Sequence, residues 1–468
     1  YSRRHWKVPK FVNNHNAYFL EGKDEFLDAP LEWTYDPVEK LIKIVTPNNV
    51  EPSTLKLRGR RLEYAFTLAN AQNVTLKNFD LFALGIWASA DKTKFDMYNI
   101  TWENVNFWYP SAQKRMLGYV DEGMPTSLFQ SGANKAINVD FEMTNCTFYG
   151  SESTPTRFRG GGMRFRNNNF LYNDWTAVTA KPVNPHDGNT LPYTGSGMMK
   201  LSPATSQKPN EFIRNDIHVC GNSAPFYAAR NSIVRYNYIS GGKDLQNDGS
   251  AIQGSGVNPK NMFLDPESFV LIENNWVKET VNPRNSKYGI RFDRSQDTCD
   301  LTVDASTPSN PRSSTGSGGF NGTIRGNVCV ETSGVMVKGN NHTIENNLIQ
   351  RGAGVAHIED RDTGMTSTGK PPLTIYTWYG TGNRRDPMHL AGVGTCQVND
   401  TYCQQSPTCA NTTYGNDTFE NMNTKVLGNV LNALGNYLGG GGNTPDTADV
   451  DAVFHAGVSM NNSAGYFQ

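Results

Sequence analysis

Ile233-Val-Arg-Tyr-Asn237-Tyr-Ile239, Leu271-Ile-Glu-Asn-Asn275-Trp-Val277, Thr323-Ile-Arg-Gly-Asn327-Val-Cys329 and Thr343-Ile-Glu-Asn-Asn347-Leu-Ile349 are four versions of one phrase. Each places a β-branched residue three positions before an asparagine and an apolar residue two positions after it. Repetition at this period marks a solenoid, because one repeat cannot bury its apolar face alone and must stack on its neighbours. The phrase is strand-like on both sides of the asparagine, and Asn is a turn former. The expected fold is therefore all-β, a parallel β-helix in which each phrase is one rung.

Further rungs are expected at Asn73–Asn78, Phe95–Phe107, Val139–Phe148, Met163–Leu171, Asp216–Val219 and Val426–Leu431. Within a rung alternate side chains enter the core. The recurring asparagines, read as Asn145, Asn169, Asn237, Asn275, Asn327, Asn347 and Asn429, are expected at a corner, bonding the backbone of their own and neighbouring rungs. Residues 1–70 lack the phrase and read as a separate β-rich module, and residues 71–438 as the solenoid. Segments 181–212, 294–319 and 359–423, rich in Pro, Ser, Thr, Gly and Asn, read as insertions. Residues 439–468 open on Gly439-Gly-Gly-Gly442 and read as a break and a tail.

Composition narrows the class. A net charge of −1 and a pI near 6.8 give no electrostatic case for nucleic acid or an anionic membrane. No apolar run approaches the roughly 18 residues that a bilayer-spanning helix needs. The start at Tyr1 is neither an initiator Met nor a signal peptide, as a processed or trimmed N-terminus would read. Nine Asn-x-Ser/Thr sequons, at Asn73, Asn99, Asn145, Asn321, Asn341, Asn399, Asn411, Asn416 and Asn461, point to a secreted glycoprotein. Seven cysteines, Cys146, Cys220, Cys299, Cys329, Cys396, Cys403 and Cys409, are disulfide candidates in that setting, and the odd one is either a free, buried thiol, the commoner outcome, or bonded to another chain.

Asp28-Ala-Pro-Leu-Glu-Trp33, Glu63-Tyr-Ala-Phe66, Arg115-Met-Leu-Gly118, Asn173-Asp174-Trp175, Leu245-Gln-Asn-Asp248-Gly-Ser-Ala-Ile252 and Tyr288-Gly-Ile-Arg-Phe-Asp293 carry a resemblance. Together they resemble secreted right-handed parallel β-helix proteins related to β-xylosidase-like and α-galactosidase-like glycosidases. The resemblance covers most of residues 16–350. It implies a right-handed coil, a small β module packed beside the first turns, and an ancestral carbohydrate site. Where those relatives often carry a His before the Asp-Gly pair, this chain has Asn247, so the imidazole best suited to proton transfer near neutral pH is missing.

Aligning the rungs puts Gln253, Asp293 and Lys338 in one column, with Asp248 and Arg291 close by. Adjacent strands lie about 4.8 Å apart, so such groups would be neighbours. Asp248 and Asp293 are the pair a glycosidase would need, at about 5 Å for retention or roughly 6.5–9.5 Å for inversion. Lys338 as base and Arg291 as cation would instead serve a lyase. Asp248-Gly249 is equally a turn, and Asp293 with Lys338 equally a rung-to-rung ion pair. Trp378 and Tyr379 could stack on a sugar or pack an inserted loop. His186, His357, His389 and His455 make no zinc-spaced set. Glu359, Asp360 and Asp362 lack the Gly and distal Glu of a calcium loop, so no metal or cofactor is implied.

Two functions follow as expectations. One is a structural subunit of an extracellular fibre, appendage or wall, built on an enzyme-like scaffold and partnered by itself or by other extracellular subunits. The other is a polysaccharide-acting hydrolase or lyase with a glycan as partner.

Overall fold

The computed structural model describes residues 23–36, 38–62, 64–90, 98–111, 126–130, 140–152, 155–174, 199–201, 204–221, 225–242, 250–254, 267–278, 288–292, 319–330, 332, 335–340, 342–351, 373–376, 425–433 and 459–464. It is all-β among these residues, apart from three short 3-10 turns in the N-terminal part. An 18-stranded sheet, a seven-stranded sheet and a four-stranded sheet carry the chain, and every strand pair in them is parallel. Strands pair with the same place in the next coil rather than with their sequence neighbour, which defines a parallel β solenoid.

Each coil has three faces. The first and second meet at the asparagine corner, as in Ser232–Arg235 followed by Tyr238–Ser240, and the third runs elsewhere, as in Ser250–Gly254. Parallel register carries the first face from Val234 to Ile272, Ile324 and Ile344, and the second from Ile239 to Val277, Cys329 and Ile349. All eight side chains are fully buried. Earlier coils fill the same columns with larger side chains, mostly rings: Trp102, Met143, Phe165 and Phe212 on the first face, and Phe107, Phe148 and Phe170 on the second. Phe107 lies flat on Phe148 at 4.3 Å, and Phe148 on Phe170 at 5.2 Å. Burial of each such side chain contributes roughly 1.5–3 kcal/mol.

The corner itself holds an amide ladder. Asn168, Asn215, Asn237, Asn275, Asn327, Asn347 and Asn429 stack in order, each side-chain carbonyl accepting from the asparagine before it. Asn275 shows the full pattern. Its Oδ1 accepts from the backbone N–H of Asn237 at 3.0 Å and from Asn237 Nδ2 at 2.8 Å. Its own Nδ2 donates to Val234 O at 3.0 Å and to Asn327 Oδ1 at 3.0 Å. A sharp corner leaves backbone groups without strand partners, and the buried amides satisfy them.

The ladder departs from expectation at its start. Asn145 and Asn169 flank the ladder position, which is occupied by Cys146 and Asn168; Asn215 is a member as well. In Asn167-Asn168-Asn169 three asparagines compete for one place, and only stacking on Asn215 selects the middle one. Cys146 heads the ladder. Its N–H donates to Asn168 Oδ1 at 2.8 Å, and its Sγ lies 3.7 Å from Trp102 O, taking the place that Asn168 Nδ2 takes on Met143 O one coil later.

Two expected boundaries also move. Tyr64–Ala69 pairs in parallel with Gly85–Ala90 and so belongs to the solenoid rather than to the N-terminal module. Ser459–Ala464, within the expected tail, pairs in parallel with Lys425–Ala433 as another rung. The module before residue 64 contains an antiparallel hairpin, Trp33–Asp36 with Leu41–Ile44. At its turn Asp36 accepts from the N–H groups of Val38 and Glu39 at 2.9 and 3.0 Å. The N–H of Glu39 first, then that of Val38, holds this carboxyl below its ordinary pKa. Arg60 Nη1 donates to Pro110 O at 3.1 Å, and Arg58 sits over the Phe82 ring, tying the module's last residues to the coils.

Candidate functional site

The expected catalytic column falls on the third face, and its register differs from the alignment. Gln253 pairs with Arg291, and Arg291 pairs with Met336, so Lys338 lies two residues beyond the Gln253 column and pairs with Tyr376. The phrases Asp248-Gly-Ser-Ala-Ile252-Gln253 and Tyr288-Gly-Ile-Arg291 are out of step by two, because Ser250 pairs with Tyr288. Asp248 and Asp293 lie outside the described residues, as does the side chain of Lys338. Arg291 is 7% exposed, and its whole strand, Tyr288–Phe292, is buried on both sides. At Arg291 this face is covered, where a polysaccharide groove would be open.

The outer surface is more informative. One residue before each ladder position the chain turns through a left-handed conformation, with φ between 54° and 62° at Asn145, Asn167, Arg214, Tyr236, Asn274, Gly326, Asn346 and Gly428. Asn tolerates this conformation better than most residues, and Gly carries no penalty there. Asn145, one of the sequons, is exposed at such a turn. Asn73 and Asn99, two more, occupy exposed left-handed positions on consecutive coils, and Asn99 Nδ2 donates to Asn73 Oδ1 at 2.8 Å. Asn321 is half-buried, and its Nδ2 donates to Ser268 O at 3.3 Å. Asn341, Asn399, Asn411 and Asn416 lie outside the described residues, and of Asn461 only the backbone is described, within a strand.

The cysteine expectation changes for the described positions. Cys146 and Cys329 are unbridged thiols in the core, Cys220 is also buried, and no disulfide joins the described cysteines. Burial pushes the Cys146 and Cys329 thiols up to about 12, so they stay protonated and inert. Their columns explain the choice: Cys329 stands between Val277 and Ile349 as one more small apolar side chain. Cys299, Cys396, Cys403 and Cys409 lie outside the described residues. Asp174, in the Asn173-Asp174-Trp175 segment, is 3% exposed with φ 63°, and its N–H donates to Ser151 O at 3.0 Å, a turn role.

Two surface features were not singled out from the sequence. Along the first face charges alternate between rungs. Arg164 bonds Asp140 at 2.9 Å, Arg166 bonds Glu211 at 2.7 Å, and Arg325 bonds Glu273 at 2.7 Å. Beside that row, at the outside of the asparagine corner, Arg166, Asn167, Ile213, Arg214, Arg235 and Tyr236 line an open cleft of about 350 Å³. Tyr236 is 50% exposed and Arg235 lies over its ring, 5.9 Å from the centroid. The signal was present in Arg235-Tyr236-Asn237 and Arg166-Asn167-Asn168: the residues just before a ladder asparagine face outward.

Among the described residues no group of three or more His, Cys, Asp or Glu side chains is arranged to hold a metal ion, and no helix is long and apolar enough to cross a membrane. No protein-family model, curated protein or solved structure matches the chain.

Proposed function

We propose that this chain is a secreted, N-glycosylated, right-handed parallel β-helix that serves as a structural subunit of an extracellular fibre, appendage or wall. The continuous amide ladder from Cys146 to Asn429 carries this reading. Seven buried asparagines bonded coil to coil make a stiff rod, because bending it would break several buried hydrogen bonds at once. Sequon asparagines at exposed left-handed turns suit a surface displayed along its length. The covered Arg291 face supports this reading over a polysaccharide hydrolase or lyase working at Asp248, Asp293, Arg291 and Lys338.

The deciding measurement is the native particle. Material purified from its source, sized by light scattering and viewed by electron microscopy, is expected to be an elongated assembly of repeated copies or of this chain with other subunits. A monodisperse, monomeric protein would overturn the proposal. Activity on a panel of extracellular polysaccharides that disappears in Asp248→Asn or Asp293→Asn would replace it with the enzyme reading.

A further inference from the structure

We infer that the corner cleft of Arg166, Arg214, Arg235 and Tyr236 is a binding site for a linear acidic polysaccharide, held through its carboxylate or sulfate groups. The inference rests on the extracellular reading above for the kind of ligand, and on geometry for the site.

Three guanidinium groups line the cleft and no carboxylate does. The acids around it are already engaged. Glu211 is bonded to Arg166, and the single carboxylate of Glu273 serves two cations, Arg325 at 2.7 Å and Arg235 at 3.7 Å. Arg214 is exposed and has no ion pair among the described residues. Arg235 Nε is buried and has no hydrogen-bond partner. A guanidinium presents its donors in a planar fork that matches a carboxylate or sulfate ester, so an incoming oxyanion would meet the exposed Arg214 cation.

The arrangement also favours a chain over a small ion. Arg166, Ile213 and Arg235 hold the same register position on three consecutive coils, with Asn167, Arg214 and Tyr236 following them. Neighbouring coils are about 4.8 Å apart, close to the advance of an extended polysaccharide per sugar, so a straight polymer with repeated charges can run along the corner. Tyr236, half exposed with the Arg235 guanidinium over its ring, offers an aromatic surface against which a sugar can pack. The left-handed turns at Asn167, Arg214 and Tyr236 set all three side chains on the outer surface.

Affinity electrophoresis and calorimetry on the full-length secreted protein test this with three probes: polygalacturonate for carboxylates, dextran sulfate for sulfate esters, and neutral dextran. At least one polyanion should bind and neutral dextran should not, with affinity falling as salt rises. Arg214→Ala and Tyr236→Ala should each weaken binding about tenfold, as loss of one charge-assisted or stacking contact does. Lys43→Ala, at an exposed ion pair with Asp24 in the antiparallel hairpin and outside the coil columns, should leave it unchanged. Thermal melting confirms that each variant is folded. Failure of both polyanions to bind, equal binding of neutral dextran, or equal losses in Lys43→Ala and Arg214→Ala would overturn the inference. A monomeric particle that still binds the polyanion through Arg214 would sink the fibre reading alone.

Discussion

Two columns of residues run side by side along the asparagine corner, one position apart in sequence, and they follow opposite rules. The inner column is Asn at every coil from Asn168 to Asn429. The outer column shares one backbone conformation but holds Asn, Arg, Tyr and Gly in turn. The inner place demands a side chain that both donates and accepts within the reach of the next coil, and only an amide of this length does so. The outer place demands a φ near 55–60° and little else. Its side chains are therefore free to vary, and Arg214 and Tyr236 from this column, with Arg166 and Arg235 one position earlier, line the cleft.

Substitutions at neighbouring positions break or sharpen this contrast. The largest effect is expected for Asn275→Ala. It removes the acceptor of the Asn237 N–H and Nδ2 groups and the donor to Val234 O, leaving buried polar groups without partners at about 1–3 kcal/mol each. A loss of about 4 kcal/mol in denaturant unfolding is expected; a loss under about 1 kcal/mol would show that water or relaxation replaces the ladder.

Gly326→Ala comes next. At φ 62° an alanine is strained by about 1–2 kcal/mol, and its Cβ would press on Asn274 Oδ1. Gly326→Asn should be milder than Gly326→Ala in relief of backbone strain, since Asn274 and Asn346 hold the same conformation in the adjacent coils. The same denaturation curves compare the two.

The buried thiols give a pH test. With folded values raised from about 9.0 to about 12, Cys146 and Cys329 favour the fold while protonated. That contribution is fully present below pH 9 and is lost as pH rises towards 12, because the unfolded state releases the protons first. Melting temperature should hold through neutral pH and fall above 9, less steeply in Cys329→Val. Iodoacetamide at pH 8 should leave both thiols unmodified in the folded protein and label them in denaturant.

The smallest effect is expected at the outer column. Tyr236→Ala and Arg214→Ala should change stability by about 0.5 kcal/mol or less, although Asn237 and Asn215, the next residues, belong to the ladder. A large loss at either would mean that the two columns are not independent.

The rungs at Asn237, Asn275, Asn327 and Asn347 were legible because each repeats the same spacing of β-branched, asparagine and apolar residues. Their neighbours were not. Asn145-Cys146 and Asn167-Asn168-Asn169 offer several asparagines or none at the right place, and a one-residue error reverses which side chains face inward. The placing of Gln253 in the expected catalytic column failed for a related reason. Gly and Ser around Asp248 and Tyr288 carry no inward or outward preference strong enough to fix register, so Gln253 was set two residues from its true partner, Arg291. Cys146 and Cys329 were read as disulfide candidates because a thiol in a core and a thiol awaiting a partner look the same in sequence.

By itself the sequence determined that the chain is a parallel β solenoid with asparagine at a corner, since repetition and alternation are local and survive without coordinates. Only the tertiary structure decided which asparagine stacks on which, that Arg291 is covered, and that Arg166, Arg214 and Arg235, as many as 69 positions apart in the chain, share one cleft. Those outcomes depend on the lengths of the segments between rungs, which set how one coil lies on the next and which no local pattern records.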